Sequence, residues 1–337
     1  MPVRLLDVAD HAQVSQATAS RVLNGRDGVS RRKRDAVLSA AEELGYTRTR
    51  PTARRVLGIL VPELENPVFA EFAQRLGNAL AQGGDTPVLC SQTANGVSED
   101  EWIEVLLQHE LAGVIVVSGM HADTHADAER YRRLRSLRIP VVLVNGYVEG
   151  LDAVFLADDD HAAMALAVSH LTSLGHARIG LAVGPERYVP VIRKVAGFKD
   201  ALDDTADGLV AHSFFTIEGG RAATSRLLEE GATAVICGSD TMALGAYQAC
   251  RSLRLGIPKD VSIIGYGDYA LAAFTGPPLT TVRQSIPAIC DAAVQALLDE
   301  LDGRPAARQE YLFQPELTVR ASSGPAPGSV TQRGRFR

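Results

Sequence analysis

Gln16, Ala17, Ser20 and Arg21 fall on one face of a helix that would begin just after Ser15, and side chains of these types read bases. An arginine can bond guanine O6 and N7 together, a glutamine can do the same for adenine, and an alanine meets only something apolar such as a thymine methyl. The segment from Leu5 to Asn24 supplies the scaffold: a first helix, a turn at Ala12-Gln13-Val14 and a second helix, with Leu6, Ala9, Val22 and Leu23 turned inward. Ser15 is placed to cap the second helix and Ser30 a third, whose Val37, Ala40, Ala41 and Leu44 recur at helical spacing before Gly45. Arg31-Arg32-Lys33-Arg34 opens that third helix, where the helix dipole disfavours cations and a DNA phosphate would relieve them. Any small three-helix module with a polar face and a solvated charge run would share this pattern.

Other reactive groups lead elsewhere. His121, Asp123, His125 and Asp127 set two histidines four residues apart, but a solvated helix start with acidic residues at its N-terminus accounts for them without a metal. Asp158-Asp159-Asp160 has no phosphate-binding loop beside it, and Gly265-Tyr266-Gly267 is an isolated GxG. No GxSxG, HExxH or Ser/His/Asp arrangement occurs. Cys90, Cys237, Cys250 and Cys290 lie far apart in apolar stretches, as buried thiols do. The expectation is a protein that is no enzyme and takes neither metal nor cofactor.

Residues 47–55, TRTRPTARR, read as a basic linker. Beyond them VLGILV, PVLC, GVIVV, PVVLVN, RIGLAV, AVICG and VSIIGY alternate with amphipathic helical stretches, the pattern of βαβ units and parallel sheets covered on both faces. About 270 residues of such alternation exceed one core. Two lobes are expected, with the crossing between Glu149 and Asp160.

Hydrophobic residues at 46% and charged residues at 22% of 337 exclude long disorder and a disulfide scaffold. No apolar run reaches the roughly 18 residues of a membrane span, and Arg4, Asp7 and Asp10 stand where a secretion signal would be apolar. A cytoplasmic protein without membrane contact is expected. The net charge of −6 divides unevenly, because residues 1–55 hold 11 Lys or Arg against 6 Asp or Glu. A basic head on an acidic body points to a polyanion for the head.

LLDVADHAQVSQATASRVLNGRDGVSRRKRDAVLSAAEELGY resembles the DNA-binding headpiece of the lactose-repressor (LacI/GalR) family. LVPELENPVFAEF, HLTSLGHARIGLAVG, GFKDAL, SDTMALGA, GIPKDVSIIGYGD, PPLTTVRQ and PELTVR resemble the family's sensor in sequence and order, so that residues 3 to about 322 are covered. The resemblance implies a small all-α helix-turn-helix head plus a two-lobed α/β sensor like periplasmic sugar-binding proteins, with parallel sheets. It implies that Gln16, Ala17 and Arg21 face bases, and that Ser15, Thr18, Ser20, Asn24, Ser30 and Lys33 touch phosphates or position the helix. Phe69, Tyr188, Lys194, Phe215, Ser239, Asp240 and Gln284 match effector-pocket positions, and Asp158 matches a position at the lobe crossover.

Departures in the turn, the hinge and the pocket qualify it. The family's turn glycine is Gln13, and a non-glycine residue at positive φ costs roughly 1 kcal/mol. After Tyr46 the hinge is short, contains Pro51 and offers no leucine before Leu57, so Arg48, Arg50, Arg54 and Arg55 are expected to act as an extended arm along phosphates or in a narrow minor groove. In the pocket, Lys194 replaces an arginine, Ser239 an asparagine and Gly267 an aspartate, which argues against a simple hexose and for an apolar cavity.

The expected organisation is a head at 1–46, a shortened hinge at 47–55 and a sensor at 56–320. The first lobe would span about 56–157 and the second about 160–282, with the C-terminal part crossing back and a disordered tail at 321–337. The expected function is a transcription regulator, a repressor, acting as a homodimer on a near-palindromic double-stranded DNA operator, since no leucine heptad follows Arg320. A small molecule, a sugar or another metabolite, would bind between the lobes. The rival reading is a cytoplasmic solute-binding protein without specific DNA binding.

Overall fold

The computed structural model describes residues 5–15, 18–19, 22, 29–44, 54–92, 96–202, 206–304 and 307–327. The chain forms two compact units that divide between Arg54 and Arg55.

In the first unit, helix α1 (Leu5–His11) and helix α2 (Arg31–Glu43) enclose Val8, Ala9, Ala19, Val22, Val37 and Ala40, all buried. Ser15 caps the turn between: its Oγ accepts the Thr18 N–H at 3.2 Å and its carbonyl the Ala19 N–H at 3.0 Å. The turn runs through the left-handed region, with Gln13 at φ +51°. Ser30 opens α2 by accepting the Arg34 N–H through its carbonyl at 3.0 Å.

The second unit holds two sheets of matching topology. The first contains β1 (Val56–Val61), β2 (Thr86–Ser91), β3 (Leu111–Val117), β4 (Val141–Val144), β5 (Val154–Asp158) and β11 (Glu310–Phe313), in the order β11-β5-β4-β3-β1-β2. The second contains β6 (Arg178–Val183), β7 (Asp207–His212), β8 (Ala234–Cys237), β9 (Ser262–Gly267), β10 (Thr280–Arg283) and β12 (Glu316–Thr318), in the order β12-β10-β9-β8-β6-β7. All pairings are parallel except β10 with β12. Central strands are buried on both sides, which is why they read as continuous apolar runs rather than alternating ones.

Helices cover both faces. In the first lobe α3 (Pro67–Gln82) and α10 (Ile286–Leu301) pack on one side, and α4 (Glu99–Gln108) and α5 (Glu129–Ser136) on the other. In the second, α6 (Asp160–Ser173) and α7 (Val189–Asp200) oppose α8 (Ile217–Glu229) and α9 (Asp240–Ser252). The chain passes between lobes three times, after β5, after β10 and after β11. Asp158 stitches these crossings: one carboxylate oxygen accepts the Ser285 N–H at 2.7 Å and the other the Gln284 amide at 3.1 Å. Asp159 accepts from Gln314 at 3.2 Å and caps α6 through the Ala162 N–H at 2.9 Å.

Two expectations are corrected. The tail is not disordered from residue 321, because residues 321–327 are described and packed. Ser322 is fully buried, its Oγ accepting the Thr280 N–H at 2.7 Å and donating to the Ile263 carbonyl at 2.6 Å. Arg55 is no part of a DNA-binding arm, since its guanidinium grips Asp85 through two bonds of 2.8 and 2.9 Å and so starts β1. No described helix is long and apolar enough to cross a membrane.

Gln13→Gly removes the positive-φ penalty and is expected to stabilise the head by about 1 kcal/mol. Thermal unfolding of the full chain checks this, and a lowered head transition would contradict it.

Candidate functional site

In open α/β sheets, ligands bind beyond the carboxyl ends of the strands, near the point where strand order reverses. Both lobes obey this. Their strand ends line one cavity of about 280 Å³. Glu63 and Asn66 follow β1, Ser118 and Ala122 follow β3, Asn145 follows β4 and Asp160 follows β5. From the second lobe come Tyr188 after β6, Phe215 after β7, Ser239 after β8, Tyr266 in β9 and Gln284 after β10. Gly184 leaves room for Phe215, whose ring lies where a Cβ at that position would stand.

The floor carries an ion pair that satisfies itself. Lys194 and Asp160 are 4% exposed each, and the Lys194 ammonium donates to Asp160 Oδ1. The Tyr266 hydroxyl donates to the same oxygen at 2.6 Å, and the ammonium stands 3.9 Å from the centre of the Tyr266 ring. Burial beside Asp160 holds the Tyr266 hydroxyl well above its ordinary range, so it remains a donor. Asn66, Asn145 and Gln284 each commit one end of the amide to the protein, through Val68, Ser118 and Asp158. The other ends can serve a ligand, as can the second oxygen of Asp160. Burial raises the Glu63 carboxyl above its ordinary range, and Glu65 adds to the effect.

Six of the seven expected pocket residues, Phe69, Tyr188, Lys194, Phe215, Ser239 and Gln284, line this cavity. Asp240 does not. Its carboxylate is turned inward, accepting the Thr281 hydroxyl at 2.6 Å and the Tyr269 N–H at 2.9 Å, and burial raises it to about 6. Ser239 also caps α9 through the Met242 N–H at 3.1 Å. Reading from residues missed Asp160 and Tyr266, although Asp160 closes the Asp158-Asp159-Asp160 run that starts at the last residue of a strand.

Of the expected DNA-facing residues, Ser15, Thr18, Ser30, Lys33 and Arg54 are described, whereas Gln16, Ala17, Ser20, Arg21, Asn24 and Arg50 lie outside the described residues. Lys33 is exposed in the first turn of α2, which contains no acidic residue.

His121 is not on a solvated helix start. It is 2% exposed within a 3₁₀ turn, with Nε2 at 3.0 Å from the Val144 carbonyl. Its N–H donates to the Tyr131 hydroxyl at 3.1 Å, and that hydroxyl donates to buried Glu99. This network anchors the loop that carries Ser118 and Ala122 into the cavity. Burial pushes the imidazole from 6.5 down to about 4, so the neutral ring stabilises the fold fully above pH 6.5 and loses that contribution as pH falls towards 4. Asp158 and Asp240, both raised to about 6, act oppositely, adding stability as pH falls, and the two together outweigh the loss at His121. Between pH 7 and pH 4 the unfolding free energy of the wild type is expected to fall by about 3 kcal/mol relative to that of His121→Gln. Urea denaturation at both pH values checks this, and parallel pH profiles would contradict it.

Residues 4–49 match the family described as bacterial regulatory proteins, lacI family, and residues 168–323 match the periplasmic binding protein-like domain. The chain is 52% identical to the HTH-type transcriptional regulator MalR of Streptomyces coelicolor, over 99% of this chain and 100% of that protein. It is similar to the lac repressor dimer bound to operator and the anti-inducer ONPF, with a TM-score of 0.73 and 25% identity over 96% of this chain and 100% of the other. Against the transcriptional regulator CelR in complex with cellobiose the TM-score is 0.70, with 28% identity over 95% and 100% of the two chains. A helix-turn-helix head and two parallel-sheet lobes facing one cleft, on a sequence this close to such regulators, make the chain a transcription regulator of the lacI family.

Proposed function

We propose that the chain acts in the cytoplasm as a homodimeric repressor on a near-palindromic operator, and that an uncharged, polyhydroxylated small molecule of the saccharide class tunes its operator affinity from the cleft. The observation that carries the effector class is the self-neutralised floor: the Lys194 ammonium already faces Asp160 and the Tyr266 ring. An anionic ligand would therefore meet no free positive charge there, and Glu63 at the same cavity would repel it. A saccharide presents hydroxyls for Asn66, Asn145, Gln284 and the second Asp160 oxygen, and C–H faces for Phe69, Tyr188 and Phe215. The similarity to a regulator crystallised with cellobiose supports the same class.

In the head, Gln16 and Arg21 carry the sequence preference. Ser15, Thr18, Ser20, Asn24, Ser30 and Lys33 set the helix on the phosphates, and Arg50 and Arg54 extend along the backbone. Effector and operator then bias each other by one coupling free energy, typically about 1 to 3 kcal/mol. The match of residues 4–49 to a DNA-binding family weighs against the solute-binding alternative.

Selection of genomic fragments by the purified full chain at physiological salt, repeated with Arg21→Ala and with a panel of neutral saccharides, tests the reading. An inverted repeat should be enriched by the wild type, lost in Arg21→Ala while weak salt-sensitive binding persists, and shifted by at least one saccharide. Enrichment of the same repeat by Arg21→Ala would refute the groove assignment.

A further inference from the structure

Across the cleft the second lobe touches the first at Tyr269, whose hydroxyl donates to Asn66 Oδ1 at 3.4 Å, and along one short segment, the run from Arg187 into the first two turns of α7. At its start the loop after β3 pairs with it edge to edge, and Asp123 and Tyr188 form an isolated antiparallel bridge. The Thr124 N–H and hydroxyl both donate to the Arg187 carbonyl, at 2.9 and 2.8 Å. The Arg187 guanidinium reaches back to Asp123 at 2.9 Å while lying 5.0 Å from the Tyr188 ring centre and donating to its hydroxyl at 3.0 Å. One and a half turns on, Arg193 forms a two-pronged ion pair with Glu310 of first-lobe strand β11, at 2.6 and 3.0 Å. Arg193 and Glu310 are 25% and 19% exposed, partly shielded from solvent screening. Tyr188 in the first grip, Pro190 and Val191 between the two, and Lys194 just after Arg193 all line the cavity. The bonds of Asp158 and Asp159 lie at the crossovers themselves, whereas the pairing of Asp123-Thr124 with Arg187-Tyr188 joins the loop after β3 to the loop after β6, away from any crossover.

We infer that Arg187 and Arg193 are positioning residues for effector recognition: they fasten the start of α7 to the first lobe, so that the cleft is held closed by the protein's own contacts and must part at the seam of Asp123-Thr124 with Arg187-Tyr188 to admit a ligand. The consequence for effector binding rests on the cleft being the effector site, but the seam itself can be tested with neither effector nor operator. Failure of the seam is thereby separated from failure of the proposed function.

Thr124 is an exposed residue whose amide is covered by a bond to the opposite lobe, so its hydrogen exchange reports closure directly. The neighbouring amides of Asp123, His125 and Ala126 bond within their own loop and report whether that loop stays folded. In the ligand-free full chain the Thr124 amide should exchange at least tenfold more slowly than an unstructured amide. Arg193→Gln should speed Thr124 at least tenfold while leaving the three reference amides unchanged, although Arg193 touches none of them. The reciprocal exchange Arg193→Glu with Glu310→Arg should restore slow exchange. Exchange of Thr124 at the unstructured rate in the wild type, or unaltered protection in Arg193→Gln, would overturn the inference. So would acceleration of all four amides together, since that would mean local unfolding.

Discussion

At the base of the cleft a carboxylate and an ammonium are held out of water, and neither could sit there alone. Removing one member of such a buried pair typically costs about 3 to 5 kcal/mol, because the other is left uncompensated. Asp160 is the first residue of the helix that follows the crossing from the first sheet, and Lys194 belongs to the second turn of α7. With Tyr266 from the middle of the second sheet, the cluster ties three elements at the point where the lobes face each other. It also decides what the cleft can hold. A cation already matched in charge is no anchor for a phosphate or carboxylate, so recognition falls to amides, hydroxyls and aromatic faces.

The surrounding architecture keeps that cluster at a hinge. Each of the three adjacent aspartates has a different task. Asp158 joins the crossings, Asp159 caps α6 and Asp160 faces the ligand space. Sheets repeated in one topology aim their carboxyl ends at a common gap, and the segment from Arg187 to Lys194 borders that gap on one side and first-lobe groups on the other. A ligand pressing on Tyr188 or Lys194 therefore acts on the same short stretch that closes the lobes, which is the kind of element through which one site can bias another.

Much of this was legible in the residues, for physical reasons that differ between elements. The runs at β1, β3, β4, β6, β8 and β9 were readable because both faces of those strands are buried. β5 escaped notice because VFLAD ends in an acidic run that looks like a linker, and β7, β11 and β12 because they are edge strands with few buried side chains. Gln13 was recognisable as a residue in a glycine's place, and its φ of +51° agrees. The aromatic wall of Phe69, Tyr188 and Phe215 came from the family resemblance. Asp240 was assigned to the cleft by the same route, but its partner Thr281 turns it into the core. Asp160 could not be found from spacing, since its role depends on Lys194, 34 residues away, and on Tyr266, 106 residues away.

The central claim is that the floor of the cleft is electrically complete before a ligand arrives. Calorimetric titration of the full chain with one neutral saccharide drawn from the operator-shifting panel, and with the phosphate ester of that saccharide, tests it most directly. The account predicts that the neutral compound binds and that its ester binds at least about 100-fold more weakly, a difference of about 2.7 kcal/mol. An ester that binds as tightly as the neutral sugar, or more tightly, would show that Lys194 is free to pair with a ligand and would contradict it.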